Sequence, residues 1–356
     1  MLASIAVVVI IIFCTAQFYL KNSTLISFAT VISAVLALLV AFGYYEWVAG
    51  FLISRGKFMS AAHGVCFAFL FAVTLVLVRA LADFLVGSNI EFGSTIKTIA
   101  AIVSGIVVGI IISGVLVITA VLLPVSPKLS YSRFSDSLVI SSPKGYLLNT
   151  DAMVTGFFNW MGDGSMASKE RFSEHNADFL NKLHLNKRKR IKDDVPAIAG
   201  DRALVIPKGN VHIRQVGDTV LTDIRLGIKG QAIEDGGTAG ARNSIWFSLA
   251  QIRLICREEN KLQSKGGKIK VLYPERYKWP KGNWPKSDGQ KRIDLDEVMK
   301  IGSKGLGKDK TLWIDLAFRV PSGMAGYQLQ FKRNASVKVP AITSEDETGA
   351  ESPPNG

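Results

Sequence analysis

Four apolar runs, roughly 2–20, 25–52, 58–86 and 98–125, fill the first third of the chain. A helix needs about 20 apolar residues to cross the hydrocarbon core of a bilayer. Each run is long enough, and the second and third leave room for tilt or an interfacial turn. Through residue 127 the charged residues are Lys21, Glu46, Arg55, Lys57, Arg79, Asp83, Glu91 and Lys97 and no others. Lipid offers no partner for backbone N–H and C=O groups, so runs of this kind fold as helices packed in a bundle. The first run has no basic leader and no small-residue cleavage site, so it is expected to remain as a membrane helix.

Beyond Pro127 the composition changes to polar, basic and rich in turn residues. The chain of 356 residues with formal net charge +13 therefore divides near 125–128 into a membrane part and a polar part. Three cysteines, Cys14, Cys66 and Cys256, provide neither a disulfide framework nor a zinc ligand set.

Within the membrane part, Ala101, Gly105, Gly109 and Ser113 recur every four residues in "AIVSGIVVGIIISGV". Such a ridge lets a second helix backbone approach closely, which is how helices associate where lipid supplies no hydrophobic drive. It implies packing within the bundle or a homo-oligomer through the fourth helix. Arg79 and Asp83 share a helix face. They read as an interfacial pair, with a buried pair on a transport path as the alternative. Glu46 lies among Tyr44, Tyr45 and Trp47 and is expected to reach headgroups or water. A transporter or channel component would require Glu46, Arg79 and Asp83 to face a common interior.

These helices resemble the CvpA (colicin V production protein) family. The resemblance rests on "FATVISAVLALLVAFGYYEWVAGFL" as second helix, a third helix ending "VRALADFLV", and the glycine-rich fourth. It covers only the N-terminal third. Family members often carry Gly-Arg in the first loop and an Arg-Gly pair in the last helix. Here the first loop is "YLKNSTL", and Val108 or Ile112 stands where that arginine would be. The resemblance implies a multi-pass protein of a bacterial inner (plasma) membrane, linked to toxin export or anchoring an extracytoplasmic domain. The basic residues near the span ends lean slightly the other way, four against three.

In the polar part, 128–200 is expected to be a helical connector. "TDAMVTGFFNWM" and "SKERFSEHNADFLNKLHLNKRKR" are its helices, and Phe172, Phe179, Leu180 and Leu183 form one face of the second. Residues 201–340 alternate in short β-branched and aromatic stretches such as "NVHIRQV", "LWIDLAFRVP" and "GYQLQF". Seven or eight strands suggest a β-sandwich, faintly similar to bacterial immunoglobulin-like surface domains. The tail 341–356 holds four acids and no base and is expected to be disordered.

No nucleophile elbow or Walker loop is present, and "GSKGLGK" (302–308) has Asp309 where a Walker loop needs Ser or Thr. His175, Asp178 and His184 are not spaced for one metal-binding face. No cofactor is expected and no catalytic residue is assigned. The surfaces offered for a partner, ligand or lipid are the basic run Lys187, Arg188, Lys189 and Arg190, and Trp279 and Trp284 in "YKWPKGNWPK". No aromatic-basic platform for nucleic acid accompanies them. The expected protein is a non-catalytic membrane anchor for a β-sandwich that binds an envelope protein or ligand; a transporter component and an anchored hydrolase are the alternatives.

Overall fold

The computed structural model describes residues 2–21, 24–55, 58, 60–85, 93–125, 131–135, 137–163, 172–187, 202–216, 219–230, 244–261, 267–280, 294–302 and 311–340. Two compact units divide the chain: Met1–Leu52 with Ser60–Lys187, and Ile53–Met59 with Arg188–Gly356.

The first unit is helical. α1 (Leu2–Lys21), α2 (Thr24–Ser54), α3 (Ala62–Leu85) and α4 (Ser94–Leu122) are long and apolar enough to cross a membrane. α1 and α4 run antiparallel, with Gly105 against Thr15 and Gly109 against Ile11. A β-carbon on either glycine would come within 2.5 to 2.8 Å of a backbone Cα of α1, so only glycine permits this approach. The Thr15 hydroxyl donates back to Ile11 O at 2.8 Å, so a polar residue sits in the seam without an open donor. Farther along α4, the missing side chain of Gly114 leaves room for the Thr150 carbonyl and Val154. α2 and α3 are also antiparallel: Tyr45 meets Phe67 at one end, and Arg79 reaches Ile26 at the other. The buried face of α2 is mostly small, with Ala34, Ala37, Ala41 and Ala49.

Three shorter helices complete this unit: α5 (Thr150–Asp163), α6 (Phe172–His175) and α7 (Phe179–Asn186). Asp178, in the left-handed conformation at φ 56°, breaks the chain between α6 and α7. The continuous helix expected over this stretch is thus two pieces at a bend. Phe172 and Phe179 still meet, at 5.3 Å; both pack with Phe42 of α2, and Phe172 and Phe42 also pack with Phe158 of α5.

The second unit is built of antiparallel sheets. β1 (Leu204–Val205), β3 (Thr219–Lys229), β9 (Thr311–Phe318) and β7 (Arg276–Lys278) lie in that order, with β2 (Val211–Val216) also paired to β3. β11 (Ala335–Lys338), β10 (Met324–Phe331), β5 (Ile252–Glu258) and β6 (Ile269–Leu272) form a four-stranded sheet, and β4 (Ser244–Ser248) pairs with β8 (Val298–Gly302). Alternate residues point inward: Ile224, Leu226 and Ile228 of β3, Ile314 and Leu316 of β9, Leu254 and Cys256 of β5, Leu329 and Phe331 of β10. They form a single core between the sheets, as strand periodicity requires.

"SIWFSLAQIRLICR" reads as one strand but is two. A 3-10 turn at Leu249–Gln251 interrupts it, and the Ser248 N–H donates to the Gln251 side chain at 3.2 Å. Tyr277 and Lys278, which open "YKWPKGNWPK", belong to β7 and pair with Leu316 and Asp315. The acidic tail lies outside the described residues.

Candidate functional site

The polar side chains of the helical unit gather at the end where α1 begins and α2 and α4 finish. Glu46, near the C-terminal end of α2, has a side chain about one-third exposed that is also bonded within the unit. Its carboxylate accepts from Tyr45 Oη at 2.9 Å and Asn176 Nδ2 at 3.1 Å, and His175 Nε2 lies 3.6 Å away. The Lys182 ammonium donates to the Asn176 carbonyl at 2.8 Å, so the Asn176 amide relays between cation and carboxylate. His175 and Asn176 come from the bend between α6 and α7, 130 positions from Glu46 in the case of Asn176.

A second network follows α4. Tyr131 Oη donates to Asp151 Oδ2 at 2.5 Å. Arg133 donates to the Tyr131 oxygen at 3.3 Å and to Asn181 Oδ1 at 2.5 Å, and Asn181 donates to Asp178 at 2.7 Å. The Asp151 N–H donates to Tyr146 Oη at 3.0 Å. Burial first, and the Asp151 charge second, push both the Tyr131 and Tyr146 phenols well above the ordinary tyrosine range. Both phenols stay protonated; Tyr131 donates to Asp151 and Tyr146 accepts from the Asp151 N–H. The His184 ring packs 4.7 Å from that of Tyr131. Burial, then the charges of Arg133 and Lys187, pull its pKa down to about 3, so the imidazole stays neutral. These three groups hold one protonation state around neutral pH.

Lys187 was expected on a lipid- or partner-facing basic surface. It is buried instead, and its ammonium donates to the Ala120 carbonyl near the end of α4. The last turn of a helix leaves carbonyls without intrahelical partners, and a lysine satisfies one. Arg188, Lys189, Arg190 and Trp284 lie outside the described residues. Trp279 is exposed and packs edge-on against Tyr277 at 6.3 Å.

Arg79 and Asp83 pair at 3.0 Å, with Asp83 half-exposed. Arg79 also donates to the Ile26 carbonyl at 2.9 Å and to the Thr30 hydroxyl, tying the end of α3 to the first turns of α2. Ile26 and Glu46 are twenty residues apart on one helix, about 30 Å at 1.5 Å per residue. The three residues that a transport path would bring together thus occupy opposite ends of the bundle. Ala101, Gly105, Gly109 and Ser113 are on the packed side of α4. Gly105 and Gly109 already face α1 of the same chain, so they offer no seam for a second copy.

His175, Asp178 and His184 turn to three different neighbours: Glu46, Asn181 and Tyr131. No cluster of three metal-binding side chains occurs among the described residues. Sequence reasoning missed Tyr131, Arg133, Tyr146, Asp151, Asn176 and Asn181. Their types are ordinary, and only the fold brings them together.

Comparison with known proteins finds no matching family model, no matching curated protein and no matching solved structure. Four apolar helices and a β-rich unit define a multi-pass membrane protein carrying a domain of antiparallel sheets.

Proposed function

We propose that this chain is a membrane anchor for a β-rich binding domain, with a CvpA-like role as envelope scaffold, toxin-export accessory or stress sensor in a bacterial inner membrane. It works by interaction and not by catalysis. One observation carries this reading: the polar groups of the helical unit bond the connector to the bundle. Glu46 of α2 accepts from Asn176 and Lys187 donates to Ala120 of α4, while Asp151 ties Tyr131 to α5 within the connector. The chain therefore leaves the helical unit at a fixed point beside the end of α4. An anchor needs that rigidity, whereas a transporter needs ionisable groups along a path. The small residues of α4 support the family likeness, and Val108 or Ile112 stands where the family's arginine would be, so no role tied to that charge is proposed.

In this reading the β unit is extracytoplasmic and its immunoglobulin-like character serves partner binding. Protease added to sealed, right-side-out membrane vesicles should digest 202–340 and spare the four helices. Protection of the β unit in intact vesicles, with digestion only after lysis, would refute envelope binding.

A further inference from the structure

α5 presents two apolar faces, and the bundle uses only one. Val154 and Phe158 are buried, against Gly114 of α4 and Phe42 of α2. The opposite face carries Met153, Gly156, Phe157 and Trp160, at the i, i+3, i+4 and i+7 positions of one stripe. Met153 is 50% and Trp160 68% exposed. In the turn that leads into α5, Leu147 and Leu148 are 59% and 49% exposed. A helix covered by water on this side would carry polar residues there, and this stripe has none before Asp163, the last residue of α5.

The depth of α5 identifies what covers it. The α1–α4 register, Thr15 with Gly105 and Ile11 with Gly109, places Gly114 opposite about the sixth residue of the chain. A β-carbon on Gly114 would meet the Thr150 carbonyl oxygen at 2.6 Å, so α5 begins level with that point. The Leu147 N–H donates to the Ser4 hydroxyl at 3.3 Å, in agreement. The start of α5 is therefore about 6 Å inside the first residue of α1, at 1.5 Å per residue. Farther along, Phe158 stacks on Phe42, and Phe42 meets Phe67, five residues into α3. That contact is about 7 Å inside the start of α3 by the same rise. Thr150 and Phe158 of α5 thus lie against the flanks of the spans, inside the first residues of α1 and α3. The outward apolar side chains of α1, Leu2, Ile5 and Val9, are exposed in the same region.

We propose that α5 and the Leu147–Leu148 turn lie in the interfacial layer of the bilayer, as a fifth membrane-embedded element that does not span. Amphipathic interfacial helices rest about 5–10 Å into the headgroup–acyl boundary; the contacts of α5 lie at comparable distances from the first residues of α1 and α3, while α2 and α4 continue farther out. Trp160, with Tyr44 and Trp47 exposed at the same end of α2, contributes to one aromatic belt. The proposal rests on the four helices spanning a bilayer.

The test uses the full chain in phosphatidylcholine vesicles. Nitroxide labels go on Met153→Cys, Trp160→Cys, Val9→Cys as a lipid control and Arg319→Cys as an aqueous control, with Cys14, Cys66 and Cys256 changed to alanine. Collisions with oxygen and with a water-soluble nickel chelate are compared. The oxygen-to-nickel ratio at 153 and 160 should be severalfold above that at 319 and below that at 9. A ratio at 153 and 160 equal to that at 319, with 9 still in lipid, overturns the proposal and leaves the spans standing. Low collision rates with both reagents, meaning cover by protein, also overturn it. An aqueous ratio at 9 would defeat the spanning reading itself.

If the cysteine-free chain does not fold, native protein and Trp160→Phe are compared in vesicles of brominated phosphatidylcholine. The emission lost with Trp160 should be quenched by the bromolipid. Emission quenched by iodide from water and untouched by bromolipid would refute the proposal.

Discussion

A β-carbon on Gly105 would stand 2.5 Å from the Cα of Thr15. Backbone cannot rotate aside as a side chain can, so Gly105→Ala must push α1 and α4 apart. Overpacking of this kind costs roughly 1–3 kcal/mol. Gly43→Ala, with nothing within 4 Å of the added carbon, should cost nothing of the kind. Unfolding of the two variants in detergent measures the difference. Equal midpoints would mean that α1 and α4 do not pack at this seam.

The Tyr131–Asp151 hydrogen bond supports a second prediction. Tyr131→Phe keeps the ring and removes a donor from a buried carboxylate. Leaving such a group short of a partner costs about 1–3 kcal/mol. The loss should appear as a lowered thermal midpoint of the helical unit, while the β unit is unaffected.

His184 sets an acid limit. Its folded pKa of about 3 lies below the ordinary 6.5, so between these values the unfolded chain binds a proton that the folded chain does not. Stability is complete above pH 6.5 and falls as pH drops from there toward 3, by up to about 1.4 kcal/mol per pH unit. His184→Phe retains a ring beside Tyr131 and removes the titration. Its midpoint should vary less with pH across that window than the parent's; equal slopes would place the proton uptake elsewhere.

In the β unit, Arg225 grips Asp315 through two bonds, 2.6 and 3.0 Å, across adjacent strands, and Lys278 approaches the same carboxylate at 3.9 Å. Asp315→Ala leaves two cations side by side, at a cost on the order of 2 kcal/mol. Cys256 reports the outcome. It is buried in the same core, and burial pushes its thiol up to about 12. In the full-length parent it should not react with maleimide at pH 8 until the β unit unfolds, and Asp315→Ala should speed that reaction severalfold. Rapid labelling in the parent would contradict the packing of β5.

The spans were legible because twenty apolar residues have few alternatives to a membrane helix, and the glycine ridge was legible because close approach demands small side chains. The partner of the ridge was not legible. Nothing near Thr15 marks it as the residue beneath Gly105; register follows from packing along both helices. The partners of Glu46 were hidden for a related reason. Tyrosine and tryptophan beside a carboxylate signal an interface, but its partners Asn176 and His175 come from a bend set by Asp178, which no local pattern announces. Lys187 read as surface because it opens a basic run, and only the position of α4 shows its ammonium on Ala120. In the β unit, β7 has three residues and β8 five, too short for alternation to stand out.

The seam between α1 and α4 has a consequence for biogenesis. It joins α1, the earliest made of these four apolar helices, to α4, with roughly ninety residues between Thr15 and Gly105. At about 5–20 residues per second, α1 spends roughly 5–20 s without the surface it finally packs against. The α2–α3 hairpin, with Arg79 on Ile26 and Tyr45 on Phe67, is complete before α4 is made. The order of synthesis therefore makes α4 the closing piece. A chain stalled before Gly105 would leave α1 as a lone helix beside a finished hairpin, open to whatever else in the membrane offers it a glycine face.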